Sequence, residues 1–323
     1  MATKQKHKLS RAARQEERAG LLFILAPIVG FLCFMLFPIC FSIVLSFQSW
    51  TGIGEMRFVG FQNFIELFTT DTFWYSLGNT FFYLIGIPIG MVIALFLAMG
   101  MNRKIPGVRI LRTAYYVPVV SSLVAVAVLW NQIYTQNGLL NNVLHSLFGI
   151  DGPAWLYDAG TVKWAIIIFT VWKGVGGTTV LYLAGLQNIN RSYYEAAEID
   201  GASGWKRFTR ITFPLLTPIS FYIIIPTIIG GLQIYVEISV LATNARDFTK
   251  SAITVVYYIY DVTFNQMAGA RMGYGAAISW ILTIIILIVT LIQFKVQNRW
   301  VYSAEEGGRI LWLTKRMAPL AKC

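Results

Sequence analysis

Apolar runs of membrane-crossing length recur along this chain, at 21–47, 78–101, 113–134, 164–186, 215–241 and 274–294. An α-helix needs about 20 such residues to cross the roughly 30 Å of hydrocarbon in a bilayer. No water is available there, so each backbone N–H and C=O must bond within its own segment. The pattern therefore predicts an all-α polytopic membrane protein with six transmembrane helices over 21–298, flanked by tails at 1–20 and 299–323. Only 13% of residues are charged, against about 25% in soluble domains. The first run carries Pro27 and Pro38 but no charge. It exceeds the about 7–15 residues of a signal-peptide core and has no small-residue cleavage site after it, so it reads as a retained helix.

The formal charge of +11 comes from 26 Lys and Arg against 15 Asp and Glu. In a soluble chain this would raise the question of nucleic acid, but its placement points to topology. Twenty of the 26 positive residues fall in the two tails and in the second and fourth connections. The other side carries Arg57, Lys163, Arg246, Lys250 and Arg271. Positive residues concentrate in cytoplasmic loops, facing anionic lipid, so both termini are expected in the cytoplasm and no nucleic-acid partner is expected.

Cys33 and Cys40 share one apolar run and Cys323 ends the chain, which offers no disulfide framework. His7 sits in a basic tail and His145 stands apart, so no metal set is expected. The apolar stretch 252–260 is too short to cross and reads as an interfacial or packed extramembrane segment. Phe61, Phe64, Ile65 and Phe68 recur at helical spacing, predicting a helix on the outer face.

The fourth connection, on the expected cytoplasmic side, reads SYYEAAEIDGASGWKRFTRITFPLLTP. Ser192 and Glu195 fit a capping box, and Gly201 supplies a left-handed stop. Ser203 caps a second helix through Trp205 to Phe213, which Pro214 and Pro218 are expected to interrupt. The small side chains of Ala196, Ala197 and Ala202 allow another surface to approach closely. This elbow, 192–214, reads as a docking element.

At these residues the chain resembles the EAA signature of permease subunits of bacterial binding-protein-dependent ABC importers. Glu195–Ala196–Ala197 is followed by Asp200–Gly201–Ala202, then by Ile211 and Pro214, with Phe213 where the family often has leucine. The external pattern FVGFQNF, with Phe73, Trp74, Asn79 and Thr80, and VPVVSSLVAVAVLW ahead of Gly138 and Asn141, is similar to the maltose-type carbohydrate permeases. The resemblance implies a type I importer fold in the bacterial inner membrane. It also implies coupling to the ATPase through Glu195, Ala196, Ala197, Asp200, Gly201 and Ala202. The partners implied are a second permease of different sequence, two ATP-binding subunits, an extracytoplasmic solute-binding protein and a saccharide. No phosphate-binding G-x-x-x-x-G-K-[ST] loop occurs, so ATP and magnesium are expected in the partner ATPase. The chain itself is expected to be a transport subunit, without cofactor or catalytic residue.

Lys173 and Glu237 fall inside spans, where a charge costs about 2.5–3.5 kcal/mol on insertion scales and needs a partner or water. They read either as a structural ion pair, or a snorkelling Glu237, or as cavity residues. The glycines of WKGVGG, with Pro226, Gly230 and Gly231, open backbone that is tolerated at membrane depth where it lines a cavity or packs on protein. By resemblance, sugar contacts arise from these two spans. LQIYVEISVL is similar to a family pattern Q-x-F-D-x-I-x-x-L, matching at Gln233, with Tyr235 for Phe and Val236 for the acid. Trp172, Gln233 and Tyr235 thus join Lys173 and Glu237 as the expected substrate path. Lys173 raises the prospect of an anionic cargo, such as a uronate oligomer or a sugar or glycerol phosphate. The Gly86/Gly90 and Gly269/Gly273 spacings read as close helix packing. The competing classes are an ion-coupled secondary transporter, which should show repeats or midplane acids, and a polytopic enzyme, which should show clustered His, Asp or Cys.

Overall fold

The computed structural model describes residues 11–103, 107–242, 251–264 and 269–302. The start of the N-terminal tail, the C-terminal tail from residue 303, and Arg246 and Lys250 lie outside the described residues. In chain order the helices are α1 (Arg11–Phe31), α2 (Phe37–Ser46), α3 (Gln62–Thr69), α4 (Asp71–Tyr83), α5 (Gly86–Met101), α6 (Val108–Val120), α7 (Leu123–Ile133) and α8 (Leu139–Phe148). They continue with α9 (Val162–Gln187), α10 (Arg191–Ile199), α11 (Gly204–Arg207), α12 (Phe213–Gly231), α13 (Val236–Leu241), α14 (Val255–Phe264) and α15 (Met272–Trp300). A short antiparallel pair, β1 (Gln48–Ser49) and β2 (Arg57–Phe58), follows α2.

Among the described residues, five continuous helical stretches are long and apolar enough to cross a membrane: Arg18–Ser46, Asp71–Met101, Val162–Gln187, Gly204–Gly231 and Met272–Trp300. The third expected span is different. Its halves, Ile110–Val120 and Leu123–Ile133, meet at 102° and make a sixth span only if taken together. Ser121 and Ser122 adopt extended ψ values of 148° and 128° and break the helix between them. Apolar periodicity cannot see this, because the residues that flank the break, Tyr115–Val120 and Leu123–Leu129, are apolar on both sides.

The fifth expected span also departs from a straight 215–241 helix. It starts earlier, at Gly204, ends at Gly231, and restarts after a gap as the six-residue α13. Pro214 and Pro218 do not interrupt it, contrary to expectation. At Pro218, the Pro214 carbonyl that loses its helical donor accepts instead from Thr217 Oγ1 at 2.7 Å. For Pro214 the reason is a π turn, Phe208–Thr212, in which the Phe213 N–H donates to the Phe208 carbonyl five residues back. The same device, Leu32–Leu36 with Phe37 N–H on the Leu32 carbonyl, precedes Pro38 in the first span. Widening the turn ahead of a proline accommodates both its ring and its missing donor, so the helix continues.

The chain divides into two compact units, one comprising residues through Leu67 with Val262–Trp280, the other Phe68–Asp261 with residues from Ile281 onward. In the first unit, the amide of buried Asn63 donates to the Ser46 and Gln48 carbonyls, both at 2.9 Å. It thereby ties α3 to the end of α2. Phe47 packs edge-on against Phe61 and at a tilt against Phe64 nearby. Gly273 leaves room for the Gln48 carbonyl, which a Cβ there would meet at 1.8 Å.

Arg271 grips Glu66 with both guanidinium nitrogens, the first at 2.7 Å, and stacks over Tyr274 at 4.4 Å. The hydrogen bond from Arg271, aided by its charge and opposed by burial, holds the Glu66 carboxyl below the usual carboxylate range. The folded value lies below the unfolded one. The pair's stabilisation is therefore complete above about pH 4.3 and is lost as pH falls through the folded value. Both side chains are 45% exposed, which limits the contribution to under about 1 kcal/mol. Thermal stability in detergent should thus fall more steeply below about pH 4 in the unmodified protein than in Glu66→Gln. Superimposable acid limbs would show that the pair contributes nothing.

In the second unit α9 is the spine, packed against α4, α5, α6, α12 and α13. One core cluster gathers Tyr83, Tyr134, Ile166, Phe169, Ile234, Ile238 and Leu241; another gathers Ala94, Ala98, Tyr182, Leu216 and Ile223. The short apolar stretch 252–260 proves to be a packed segment. Tyr83 donates to the Ala252 carbonyl, Asn79 to the Ile253 carbonyl, and the Val255 N–H to Thr80 Oγ1. Asn141 organises the loop after α8 similarly, donating to Gln136 and Pro153 carbonyls and accepting from Trp155 Nε1 at 2.7 Å.

Candidate functional site

The elbow forms as two short helices joined at Gly201, whose φ of +67° is the left-handed conformation that ends α10. Its N-cap is a correction. Asn190, not Ser192, holds the end of α10, accepting from the Ser192 N–H at 3.0 Å. Glu195 consequently does not close a capping box and pairs instead with Arg191 at 3.3 Å. The reason is register: the helix begins one residue before Ser192, which puts that serine inside it. Ser203 does cap α11, with a long 3.4 Å bond from the Lys206 N–H.

Burial splits the six expected coupling residues. Glu195, Ala196, Asp200 and Gly201 are exposed, whereas Ala197 and Ala202 are half-buried and joined by the Ala202 N–H to the Ala197 carbonyl at 2.8 Å. No residue of α10 is fully buried, and Ile199 and Trp205 stand 87% and 71% exposed. These are large apolar groups on an otherwise polar, unburied elbow. The ion pair between Glu198 and Arg207 ties the two arms together. Because α11 continues through the π turn into α12, the second arm of the elbow and a membrane-crossing helix are one continuous helix.

A second feature is a cavity of about 300 Å³ between α4, α5, α9 and α12. Its wall carries Glu237, Tyr83, Thr170, Thr178 and Thr227, and the glycines 86, 90, 174, 230 and 231. The expectation that the glycine-rich parts of two spans open a cavity agrees with this lining. Gly86 also serves close packing, since a Cβ there would meet Ile167 at 3.3 Å. Sequence reasoning missed Tyr83 and the three threonines. A threonine every turn or so in an apolar helix looks like neutral packing, and only the assembled helices show which ones face a void.

The other expected path residues lie elsewhere. Trp172 belongs to an aromatic ladder, 5.1 Å from Trp130, which in turn is 5.1 Å from Tyr134. Tyr235 faces Tyr260 at 5.0 Å and Tyr257 at 6.2 Å, and Gln233 is exposed at the break between α12 and α13. Lys173 does not pair with Glu237. Its ammonium donates to the Pro118 carbonyl, to Ser121 at 3.1 Å and to Val119 at 3.4 Å. These are carbonyls at the C-terminal end of α6, left without helical partners by the break at Ser121 and Ser122. A cation there satisfies orphaned acceptors and complements the negative end of the helix dipole.

The family described as "Binding-protein-dependent transport system inner membrane component" matches residues 86–302. The probable ABC transporter permease protein YesP of Bacillus subtilis is 35% identical over 299 residues, covering 91% of this chain and 95% of that protein. The lactose transport system permease protein LacF of Rhizobium radiobacter is 37% identical over 279 residues, or 85% and 92% of the two chains. Among solved structures, a chain of a bacterial alginate ABC transporter in complex with alginate pentasaccharide-bound periplasmic protein superposes with a TM-score of 0.75. It is 25% identical, and the match covers 90% of this chain and 98% of that one.

Proposed function

The chain belongs to the binding-protein-dependent transport system inner membrane components, as a non-catalytic, multi-pass permease subunit of a carbohydrate ABC importer, and from that premise we propose how its two features divide the work. The elbow docks on a cytoplasmic ATP-binding subunit through Glu195, Ala196, Asp200 and Gly201. Ala197 and Ala202 hold its two arms close. The observation that carries this reading is the continuity of α11 with α12, which makes the second arm of the elbow an extension of a membrane-crossing helix. ATP-driven closure of the partner subunits then biases a two-state arrangement of the helices around the cavity. The assembly comprises this chain, a second permease of different sequence, two ATP-binding subunits and an extracytoplasmic solute-binding protein, with both termini of this chain in the cytoplasm.

The cargo is a sugar or oligosaccharide. Relatives named for lactose and arabinooligosaccharides support this class. So does the lining of the cavity, where Glu237, Thr170, Thr178 and Thr227 place polar groups in an otherwise apolar wall. The aromatic faces of Trp172 and Tyr235, with the exposed Gln233 amide, extend the path for a pyranose ring. Reconstitution in vesicles tests the reading. A cysteine at Ile199 should crosslink to a nucleotide hydrolase, and uptake should follow ATP. Uptake by this chain alone, driven by an ion gradient, would place it with the secondary transporters instead.

A second reading, an anionic saccharide such as a uronate oligomer or a sugar or glycerol phosphate, draws support from the likeness to the alginate transporter chain. Lys173 decides between them. Its ammonium already serves three backbone carbonyls. Lys173→Met should therefore cost about 1–3 kcal/mol of stability and lower uptake of neutral and anionic saccharides alike. A loss confined to the anionic cargo would favour the second reading.

A further inference from the structure

One hydrogen bond in the elbow joins α10 directly to the start of the membrane-crossing helix. The Tyr194 hydroxyl lies 2.9 Å from Thr212 Oγ1. Thr212 is the last residue of the π turn and only 6% exposed. Along α10, Tyr194 and Ala197 are the two residues not fully exposed, so they define the inner face of that helix.

The location matters because the π turn is where a lever would give. Its hydrogen bonds run over five residues rather than four, and Pro214 just beyond has no N–H to donate. A push delivered to α10 reaches α12 through Gly201, α11 and this wide turn. Each of these can absorb displacement by bending. Two other ties brace the elbow, but both stop short of the turn: Glu198 with Arg207, and Ala202 N–H with the Ala197 carbonyl. The phenol of Tyr194 reaches past them to the far end of the turn.

We propose that Tyr194 is a positioning residue for transport, locking α10 to the π turn through Thr212 so that movement of the docked elbow is delivered to α12 instead of being lost in bending. The inference rests on the coupling role proposed for the elbow. It assigns to Tyr194 a part distinct from the docking residues, since its side chain faces inward.

The test uses the complete importer, with its ATP-binding subunits and binding protein, in vesicles, and counts saccharide imported per ATP hydrolysed. With Tyr194→Phe the ATP-binding subunits should still co-purify, while cargo per ATP falls threefold or more. Thr212→Val should reproduce that fall, the double variant should be no worse than either single one, and Thr212→Ser should keep the unmodified ratio. An unchanged ratio in Tyr194→Phe, or losses that multiply in the double variant, would overturn the latch. If the unmodified chain carries no ATP-binding subunit, the coupling role itself fails, and the latch with it. That result is told apart by appearing before any substitution is made.

Discussion

Gly176→Leu should leave little folded protein. Gly176 lies in the spine helix α9 where it crosses α6, and a Cβ at this position would sit 2.0 Å from the Tyr115 carbonyl oxygen and 3.1 Å from Val119. The obstacle is backbone, which cannot rotate away as a side chain can. The two helices would have to separate, opening the packing of the broken span on α9. Overpacking a well-filled core costs about 1–3 kcal/mol and occasionally more, and a backbone clash belongs at or above the upper end. Monodisperse yield and thermal stability in detergent should both collapse. Gly100→Ala supplies the control, because nothing lies within 4 Å of a Cβ there. It should be neutral or gain up to about 1 kcal/mol from helix propensity. Similar melting of the two variants would mean that α6 does not sit on α9 at this distance.

Gly201→Val should leave the membrane helices folded and yet disable the importer. With φ at +67° the residue is in the left-handed region, where a β-branched side chain is strained by about 1–2 kcal/mol or more. Nothing lies within 4 Å of a Cβ at Gly201, so within this chain the effect is conformational rather than steric. Relief of the strain re-aims α10 against α11 and disperses the exposed face of Glu195, Ala196 and Asp200. Uptake should drop at least tenfold, the proposed ATP-binding subunits should no longer co-purify, and the melting temperature of the permease should stay nearly unchanged. Gly201→Asn should retain most activity, because asparagine tolerates the left-handed region. Retained activity with valine would show that the elbow does not need its bend.

The contrast between these two glycines bears on how much a chain reveals before it folds. Gly201 announces itself, since Asp-Gly between two short helical patterns requires a left-handed residue for local reasons alone. Gly176 is one of four glycines in α9 that no local rule distinguishes. Its importance comes from Tyr115, over 60 positions earlier in the chain. Asn63, Asn79, Thr80 and Asn141 fall between these cases. They stand out as members of external patterns, but their task of pinning loop carbonyls depends on partners brought close by folding.

Lys173 and Glu237 are the clearest example of this limit. A lysine and a glutamate inside two spans invite an ion pair. The structure instead breaks the third span, exposing carbonyls that take up the ammonium, and leaves Glu237 on the cavity wall. Periodicity could not foresee this, because an apolar helix and an apolar helix with a two-serine break have nearly the same hydropathy.

The spacing of apolar runs by itself determined that long membrane-crossing helices recur, and the local residues of the elbow determined its left-handed turn and the family signature it carries. These properties are local, set by the exclusion of water from lipid and by backbone sterics within a few residues. Tertiary structure decided the bend of the third span, the passage of α12 through its prolines, the partners of Lys173 and the residues that surround the cavity. Those depend on which distant surfaces meet, and a void or an orphaned carbonyl exists only once the helices have been brought together.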